Sequence, residues 1–243
     1  MINKKIKMAE VIHLDHHLLP VINRFGIQLG FGDKTVEEVC NDHNINPDFF
    51  TEIINAFHNK SYFPQKQLQR FSVYLIIDYL QKAHSFYVDV KLPEIENLII
   101  RMLDESKLPK EIQMAIIKFF ADYKKEFTTH INQEENTIFP FARQISDSYY
   151  HQKNIEDTYN KLQDYSIIDY RDEHDDIEEK LFDLKNIIIK YLPPQKDYNL
   201  CNHLLSELFD LEKDLNDHSR IEDLIMVPMI AEIEKQILER KEN

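Results

Sequence analysis

Glycine is scarce in this sequence of 243 residues: only three occur, at Gly26, Gly30 and Gly32. Outside that short stretch the chain lacks the turn residues that an all-β fold needs. Leu, Ile, Glu, Lys, Asp and Gln are abundant instead, and these residues are typical of helices. The composition therefore predicts an all-α protein.

Cysteine is also rare, since Cys40 and Cys201 are the only two. Two isolated cysteines indicate neither a disulfide framework nor a cysteine-based metal centre, and they fit a reducing compartment. The sequence contains no run of 18 apolar residues, and no apolar core follows its charged N-terminal residues. We therefore expect a cytoplasmic protein without a membrane span or a signal peptide.

Basic residues are fewer than acidic ones: the sequence has 29 Lys and Arg and 43 Asp and Glu, so its formal net charge is -14. Non-specific binding to nucleic acid depends on basic residues that neutralise phosphates, and anionic membranes also attract basic segments. We therefore expect neither nucleic acid nor a membrane as a partner. The acidity is compatible with holding cations, although it serves solubility equally well.

The N-terminal part of the chain predicts a small helical domain. An amphipathic helix from Met8 to Arg24 should be interrupted by Pro20, and Thr35 with Glu38 forms the signature of a capping box before the next helix. Two short helices joined by a turn can also resemble a helix-turn-helix DNA reader, but the second helix has no Arg or Lys before Lys60. A polar, proline-containing linker follows, so we place the domains at residues 1–62 and 63–243.

The larger domain predicts four long helical segments joined by short connections. Antiparallel helices of similar length with short loops are typical of an up-down-up-down four-helix bundle. The expected segments are 68–103 with a bend at Leu92-Pro93, 111–145, 154–191, and 198–238.

Two of these segments contain the same motif. His130 is followed four residues later by Glu134, and His218 is followed four residues later by Glu222. On a helix this spacing places the imidazole and the carboxylate on one face, one turn apart. Each pair is followed by an acidic residue, an apolar run and a proline, so the two stretches look like two halves of one site.

Each long helix also carries a histidine near its middle, at His84, His130, His174 and His218, with separations of 46, 44 and 44 residues. Four imidazoles and two carboxylates suit a pair of metal ions, each bound by two histidines and bridged by the carboxylates. A nitrogen and oxygen ligand set without thiolate fits iron, with manganese or zinc as further options. The alternatives are hydrogen-bonded core histidines and ion pairs on helix surfaces.

Three stretches resemble the ligand segments of a hemerythrin-like domain. They are Ala83-His84 with the following Leu92-Pro93-Glu94, the His130 to Pro140 segment, and Glu173-His174-Asp175 together with the His218 pair. Residues 76–243 resemble this domain as a whole. The full chain is similar to the di-iron family for repair of iron centres, also described as iron–sulfur cluster repair.

The resemblance implies a particular metal centre and set of partners. The implied ligands are His84, His130, His174 and His218, with Glu134 and Glu222 as bridges, around two irons per chain joined by an oxo or hydroxo group. It also implies a response to nitric oxide or oxidative stress, with small diatomic molecules as ligands and an iron–sulfur protein as client. Whether such a chain is an enzyme, and its oligomeric state, stay open.

The N-terminal domain resembles the family in Arg24-Phe25-Gly26-Ile27 and in the helix after the glycine-rich loop. The family usually has a pair of cysteines in that loop, where this chain has Gly30-Phe31. Cys40 is a single thiol and does not replace a pair. Two other functions therefore stay open: a non-enzymatic protein for binding oxygen or nitric oxide or for metal storage or sensing, and a helical interaction protein with structural histidines.

Overall fold

The structure, a computed structural model, describes residues 1–172, 177–192 and 198–242. Most of these residues are helical, and within them the only β-type pairing is a single bridge between Lys7 and Thr35. The prediction of an all-α protein is confirmed. Within these ranges no helix has the length and apolar character that crossing a bilayer requires.

Over the described ranges the chain forms fourteen α-helices, one short 3₁₀ helix and three π-helical turns. The α-helices are α1 (Met8–Leu14), α2 (Leu19–Arg24), α3 (Val36–Asp42), α4 (Pro47–His58), α5 (Gln65–Leu68), α6 (Val73–Phe86), α7 (Leu92–Asp104), α8 (Lys110–Gln133), α9 (Phe139–His151), α10 (Ile155–Asp164), α11 (Ile167–Asp172), α12 (Ile177–Tyr191), α13 (Tyr198–Ile221) and α14 (Val227–Glu242). The 3₁₀ helix is His16–Leu18, and the π-helical turns are π1 (Tyr87–Lys91), π2 (Glu134–Ile138) and π3 (Glu222–Met226).

Side-chain caps explain several helix boundaries. Thr35 and Glu38 form the predicted capping box, with the Thr35 amide donating to Glu38 Oε2 at 2.7 Å and the Glu38 amide donating to Thr35 Oγ1 at 3.3 Å. The interruption expected at Pro20 is present but begins earlier, because Asp15 is extended and accepts the amide of His17. Pro20 itself lies in the first turn of α2, where a missing amide costs least.

The segment predicted as one helix over 154–191 is broken, so this prediction was wrong. Tyr165 is extended, and α11 starts anew after Ser166. Ser166 Oγ accepts the amide of Asp169 at 3.3 Å, while Asp169 Oδ2 accepts the amide of Ser166 at 2.8 Å. This reciprocal cap stabilises a new helix start and thereby ends the preceding helix.

The chain divides into two compact units, and each is described by itself. The first comprises Met1–Ala83, Phe141–Arg171 and Asp217–Asn243, and the second comprises His84–Pro140 and Asp172–Asn216. In the first unit Arg24 Nη1 donates to Tyr79 Oη at 3.2 Å, so N-terminal residues contact α6 beyond the expected linker. The division at residues 62 and 63 stays a prediction, as does the four-helix bundle.

The apolar face of α8, in the second unit, explains why the carboxylate of Glu134 is buried. In α8 the apolar residues Ile116, Phe120, Tyr123 and Phe127 are all buried and recur every three or four positions. They form the stripe by which an amphipathic helix faces a core. Glu134 lies seven residues after Phe127, on the continuation of the same stripe, and it is completely buried.

Candidate metal centre

Three of the predicted ligands lie together in the second unit, where two imidazoles flank one carboxylate. His84 Nε2 lies 3.0 Å from Glu134 Oε2, and His130 Nε2 lies 2.8 Å from Glu134 Oε1. Each oxygen of Glu134 thus faces a different imidazole. His130 and Glu134 belong to successive turns, as the four-residue spacing predicts, whereas His84 comes from α6.

These three side chains are largely removed from water. His84 is 2% exposed, Glu134 is fully buried, and the side chain of His130 is 18% exposed. A buried carboxylate is costly unless charged or hydrogen-bonding groups compensate it. Here the two imidazoles compensate the charge of Glu134, and a metal cation coordinated by the same atoms would compensate it as well.

The ring of His84 is held on several sides. It stacks on Phe139, with ring centroids 5.4 Å apart and planes inclined by 11°, and its Nδ1 lies 2.8 Å from Glu135 Oε1. Burial lowers the pKa of His84, but the hydrogen bonds to Glu134 and Glu135 outweigh it and leave that pKa above its ordinary value. Without a metal, positive charge on this ring is therefore stabilised.

The other histidine and glutamate pair lies in the first unit. His218 is 5% exposed and Glu222 is 1% exposed, and His218 Nε2 lies 4.0 Å from Glu222 Oε2. Both glutamates and His218 are therefore buried and His130 is only partly exposed, unlike the exposed ion pairs that this spacing usually forms on helix surfaces. The remaining predicted ligand, His174, lies outside the described residues.

A π-helical turn accompanies each of the three ligand segments that the structure describes. The amide of Phe139 donates to Glu134 O, and the amide of Val227 donates to Glu222 O, so each bond spans five residues instead of four. The turn π1, which starts three residues after His84, ends in the same way. Such turns are rare and occur often at functional sites.

Proline explains why these turns widen. Each π-helical turn is followed, after one residue, by Pro93, Pro140 or Pro228. Within a helix, proline lacks an amide and its ring collides with the carbonyl group four residues earlier. One extra residue in the preceding turn relieves that collision and allows the helix to continue. The spacing to proline was a signal for these turns that the sequence interpretation missed.

A second cluster of histidine and carboxylates has a different character. Lys91 Nζ donates to Glu94 Oε2 at 3.2 Å and also to Glu207, while His203 Nε2 lies 3.4 Å from Glu207 Oε1. The ammonium group of Lys91 already compensates both carboxylates. The His203 side chain is 54% exposed, so this cluster is an ion-pair network at the surface of the second unit.

The donor atoms define what the buried groups can do chemically. Imidazole nitrogen and carboxylate oxygen bind iron, manganese or zinc, and the structure thus carries histidine and glutamate groups that could hold a metal ion. Glu135 was not predicted as part of the site, and only its position directly after Glu134 hinted at it. No family model matches this chain, and no curated protein gives a significant match.

Proposed function

We propose that this chain is a non-haem di-iron protein of the iron-centre repair type, built on a hemerythrin-like four-helix bundle. In this proposal His84, His130, His174 and His218 bind two irons, and Glu134 and Glu222 bridge them. The protein would act in the cytoplasm in the response to nitric oxide or oxidative stress.

One observation carries the proposal: the carboxylate of Glu134 lies between His84 Nε2 and His130 Nε2 at 3.0 and 2.8 Å in a buried setting. A carboxylate that offers one oxygen to each of two neighbouring ligand sets is the form that a bridging ligand takes. The buried pair His218 and Glu222 repeats the motif, and this sequence repeat supports its place as the second half of the proposed centre.

The chain's residues would contribute binding and protection in this function. The imidazoles and carboxylates hold the metal, and the aromatic side chains of Phe139, Tyr87 and Phe127 exclude water from the second unit. When bound, a pair of irons supplies electron transfer and open coordination positions for small diatomic molecules. Repair would further require an iron–sulfur protein as client.

Metal content tests the proposal. We expect protein expressed with iron to contain two irons per chain, and His130→Ala and His218→Ala to lose most of them because each removes a ligand. His203→Ala is the matched control: it also removes a histidine four residues before a glutamate, but from the exposed ion-pair network. A parent without stoichiometric metal, or metal content that neither ligand variant changes, would overturn the proposal.

A second candidate function is non-enzymatic binding of oxygen or nitric oxide, or storage or sensing of metal. The state of the thiols favours it. The loop carries Gly30-Phe31 where the family has two cysteines, and Cys40 is completely buried. Burial raises the pKa of Cys40 to about 12, so its reactive thiolate form is suppressed.

Consumption of nitric oxide distinguishes the two functions. If the protein repairs iron centres through redox chemistry, the iron-loaded protein should consume nitric oxide repeatedly when a reductant is supplied. If it only binds, the loss of nitric oxide should stop after stoichiometric uptake. Protein stripped by a chelator serves as the blank in both cases.

A further inference from the structure

We propose that Glu135 is a positioning residue for the metal centre: its carboxylate accepts the Nδ1–H of His84 and directs the lone pair of Nε2 toward the metal. This role rests on the proposed function, because it assigns a task to a residue beside the predicted ligands. None of the predicted ligand roles includes Glu135.

The geometry gives each nitrogen of one ring its own carboxylate. His84 Nδ1 lies 2.8 Å from Glu135 Oε1, and His84 Nε2 lies 3.0 Å from Glu134 Oε2. Consecutive residues on a regular α-helix point in directions about 100° apart and do not converge on one neighbour. Here the imidazole bridges the gap, since its two nitrogens lie on different edges of the ring.

The two carboxylates differ in their access to water. Glu134 is fully buried, whereas the side chain of Glu135 is 26% exposed. The buried carboxylate is therefore the one suited to contact a sheltered metal. The partly exposed carboxylate approaches the opposite edge of the ring from the solvent side, where it can orient the imidazole without reaching the metal.

The chemistry of imidazole makes this contact decisive. A neutral ring has one nitrogen that donates a hydrogen bond and one that accepts, and a metal binds only the nitrogen without the proton. An acceptor at Nδ1 holds the proton there and leaves Nε2 as the ligand. Carboxylates in this position orient metal-binding histidines and make them more basic in many proteins.

Packing restricts the alternatives available to His84. The ring is 2% exposed and lies against Phe139 with the two planes nearly parallel, at 11°. A flip of the ring about its Cβ–Cγ bond would turn both nitrogens away from the two carboxylates, and it would have to displace this neighbour. The ring plane is thus set by packing, and Glu135 favours the proton at Nδ1.

Two substitutions of Glu135 distinguish the effect of losing its hydrogen bond from the effect of changing its side chain. Glu135→Gln keeps an acceptor oxygen and should bind metal within about 3-fold of the parent, while Glu135→Leu removes the acceptor and should weaken binding by roughly 10- to 100-fold. Asn132→Leu is the matched control, since it introduces the same side chain at an exposed position one turn earlier. Affinity is measured by competition of Fe(II) with a coloured chelator, and circular dichroism reports the fold of every variant.

A second readout does not involve metal. Long-range nitrogen–proton correlation spectra of metal-free protein, recorded in alkaline solution where the ring is neutral, report which nitrogen of His84 carries the proton. Because Glu134 also faces Nε2 in the metal-free chain, we expect both protonated forms in the parent and in Glu135→Gln, and a shift from Nδ1–H to Nε2–H in Glu135→Leu. The His84→Asn variant assigns the signal.

The outcomes distinguish this role from the proposed function. A parent that binds no iron would overturn the proposed function and this role with it. A parent that binds iron, with Glu135→Leu binding equally well or showing the same fraction of Nδ1–H as the parent, would overturn the role of Glu135 alone. Loss of binding and of Nδ1–H in Glu135→Leu, restored in Glu135→Gln, would establish it.

Discussion

Two buried carboxyl groups, Glu134 and Glu234, have different surroundings. Glu134 lies between two imidazoles, whereas Glu234 in α14 accepts the amide of Ile167 at 3.0 Å. Burial raises the pKa of Glu234 from its ordinary 4.5 to about 7; the bond from Ile167 lowers it, and the charge of Asp169 raises it further. The ionised form of Glu234 is therefore unfavourable in the folded chain.

This environment predicts that Glu234→Gln makes the protein more resistant to unfolding at pH 8 but not at pH 4.5. Between pH 4.5 and 7 the unfolded chain loses the Glu234 proton first, so stability falls as the pH rises through this window. The neutral amide avoids that loss, and the gain should not exceed about 3.5 kcal/mol, at about 1.4 kcal/mol per pKa unit between 4.5 and about 7. Urea unfolding at both pH values measures it.

Glu232→Gln is the control for this prediction, because Glu232 is exposed on the same helix. It should change the free energy of unfolding by no more than about 0.5 kcal/mol at either pH. An equal gain for Glu234→Gln at both pH values would mean that the carboxyl group is not titrating in this window.

At the level of elements, the π-helical turns link proline to the predicted ligands. The turn π2 begins at Glu134 and ends two residues before Pro140, and π3 stands in the same relation to Glu222 and Pro228. The proline of each segment therefore affects the direction in which the glutamate side chain leaves the helix. Residues that never touch a metal can in this way decide whether a ligand set assembles.

We predict that Pro140→Ala favours a regular α-helix through this segment and weakens metal binding about 10-fold or more, as loss of ligand orientation commonly does. Alanine supplies the missing amide and removes the collision that widens the turn. Chelator competition measures the affinity, and circular dichroism should show helicity equal to or above that of the parent.

Pro47→Ala provides the comparison, since Pro47 lies in the first turn of α4, where proline is well tolerated. It should leave metal affinity unchanged. If Pro140→Ala also bound metal like the parent, the π-helical turn would have no part in orienting Glu134.

Local sequence signals predicted many of the elements, and their failures have local causes too. The capping box of Thr35 and Glu38 was predicted because both partners lie within one turn. Ser166 and Asp169 form the same kind of cap, and a helical pattern read across Tyr165 concealed it. Pro93 predicted a bend after the His84 segment, but the hydrogen bonding that absorbs a proline depends on the surrounding packing.

For the site, the sequence predicted the contact within one helix better than the contacts between helices. Because His130 and Glu134 lie one turn apart, helix geometry alone predicts their contact. The approach of His84 to Glu135 joins residues 51 positions apart and depends on tertiary packing. Spacing within a helix contains no information about such a contact.

At the scale of the whole molecule, a metal that binds only the folded chain must stabilise it. With free metal at 100 times its dissociation constant, the stabilisation is about 2.7 kcal/mol. For a chain of this length that corresponds to a rise in Tm of roughly 5 to 10 °C. We predict this rise on loading with Fe(II), and its loss on addition of a chelator, in thermal unfolding followed by circular dichroism.

Variants locate the origin of this stabilisation. Glu134→Ala should abolish the metal-dependent rise in Tm, while Glu94→Gln, in the ion-pair network around Lys91, should preserve it. A rise that survives Glu134→Ala but disappears in Glu94→Gln would place the metal at the surface network instead.

The widened turns also bear on how this chain tolerates changes in length. A π-helical turn is an α-helix with one additional residue accommodated locally. With the collision removed by Pro140→Ala, deleting Thr137 from π2 would therefore leave the helix beyond it facing the same way, whereas a deletion within the regular part of α8 would swing everything downstream by about 100°. Of all the positions in this long helical segment, the turn beside the buried glutamate is the one where the chain can lose a residue and keep its fold while losing its ligand geometry.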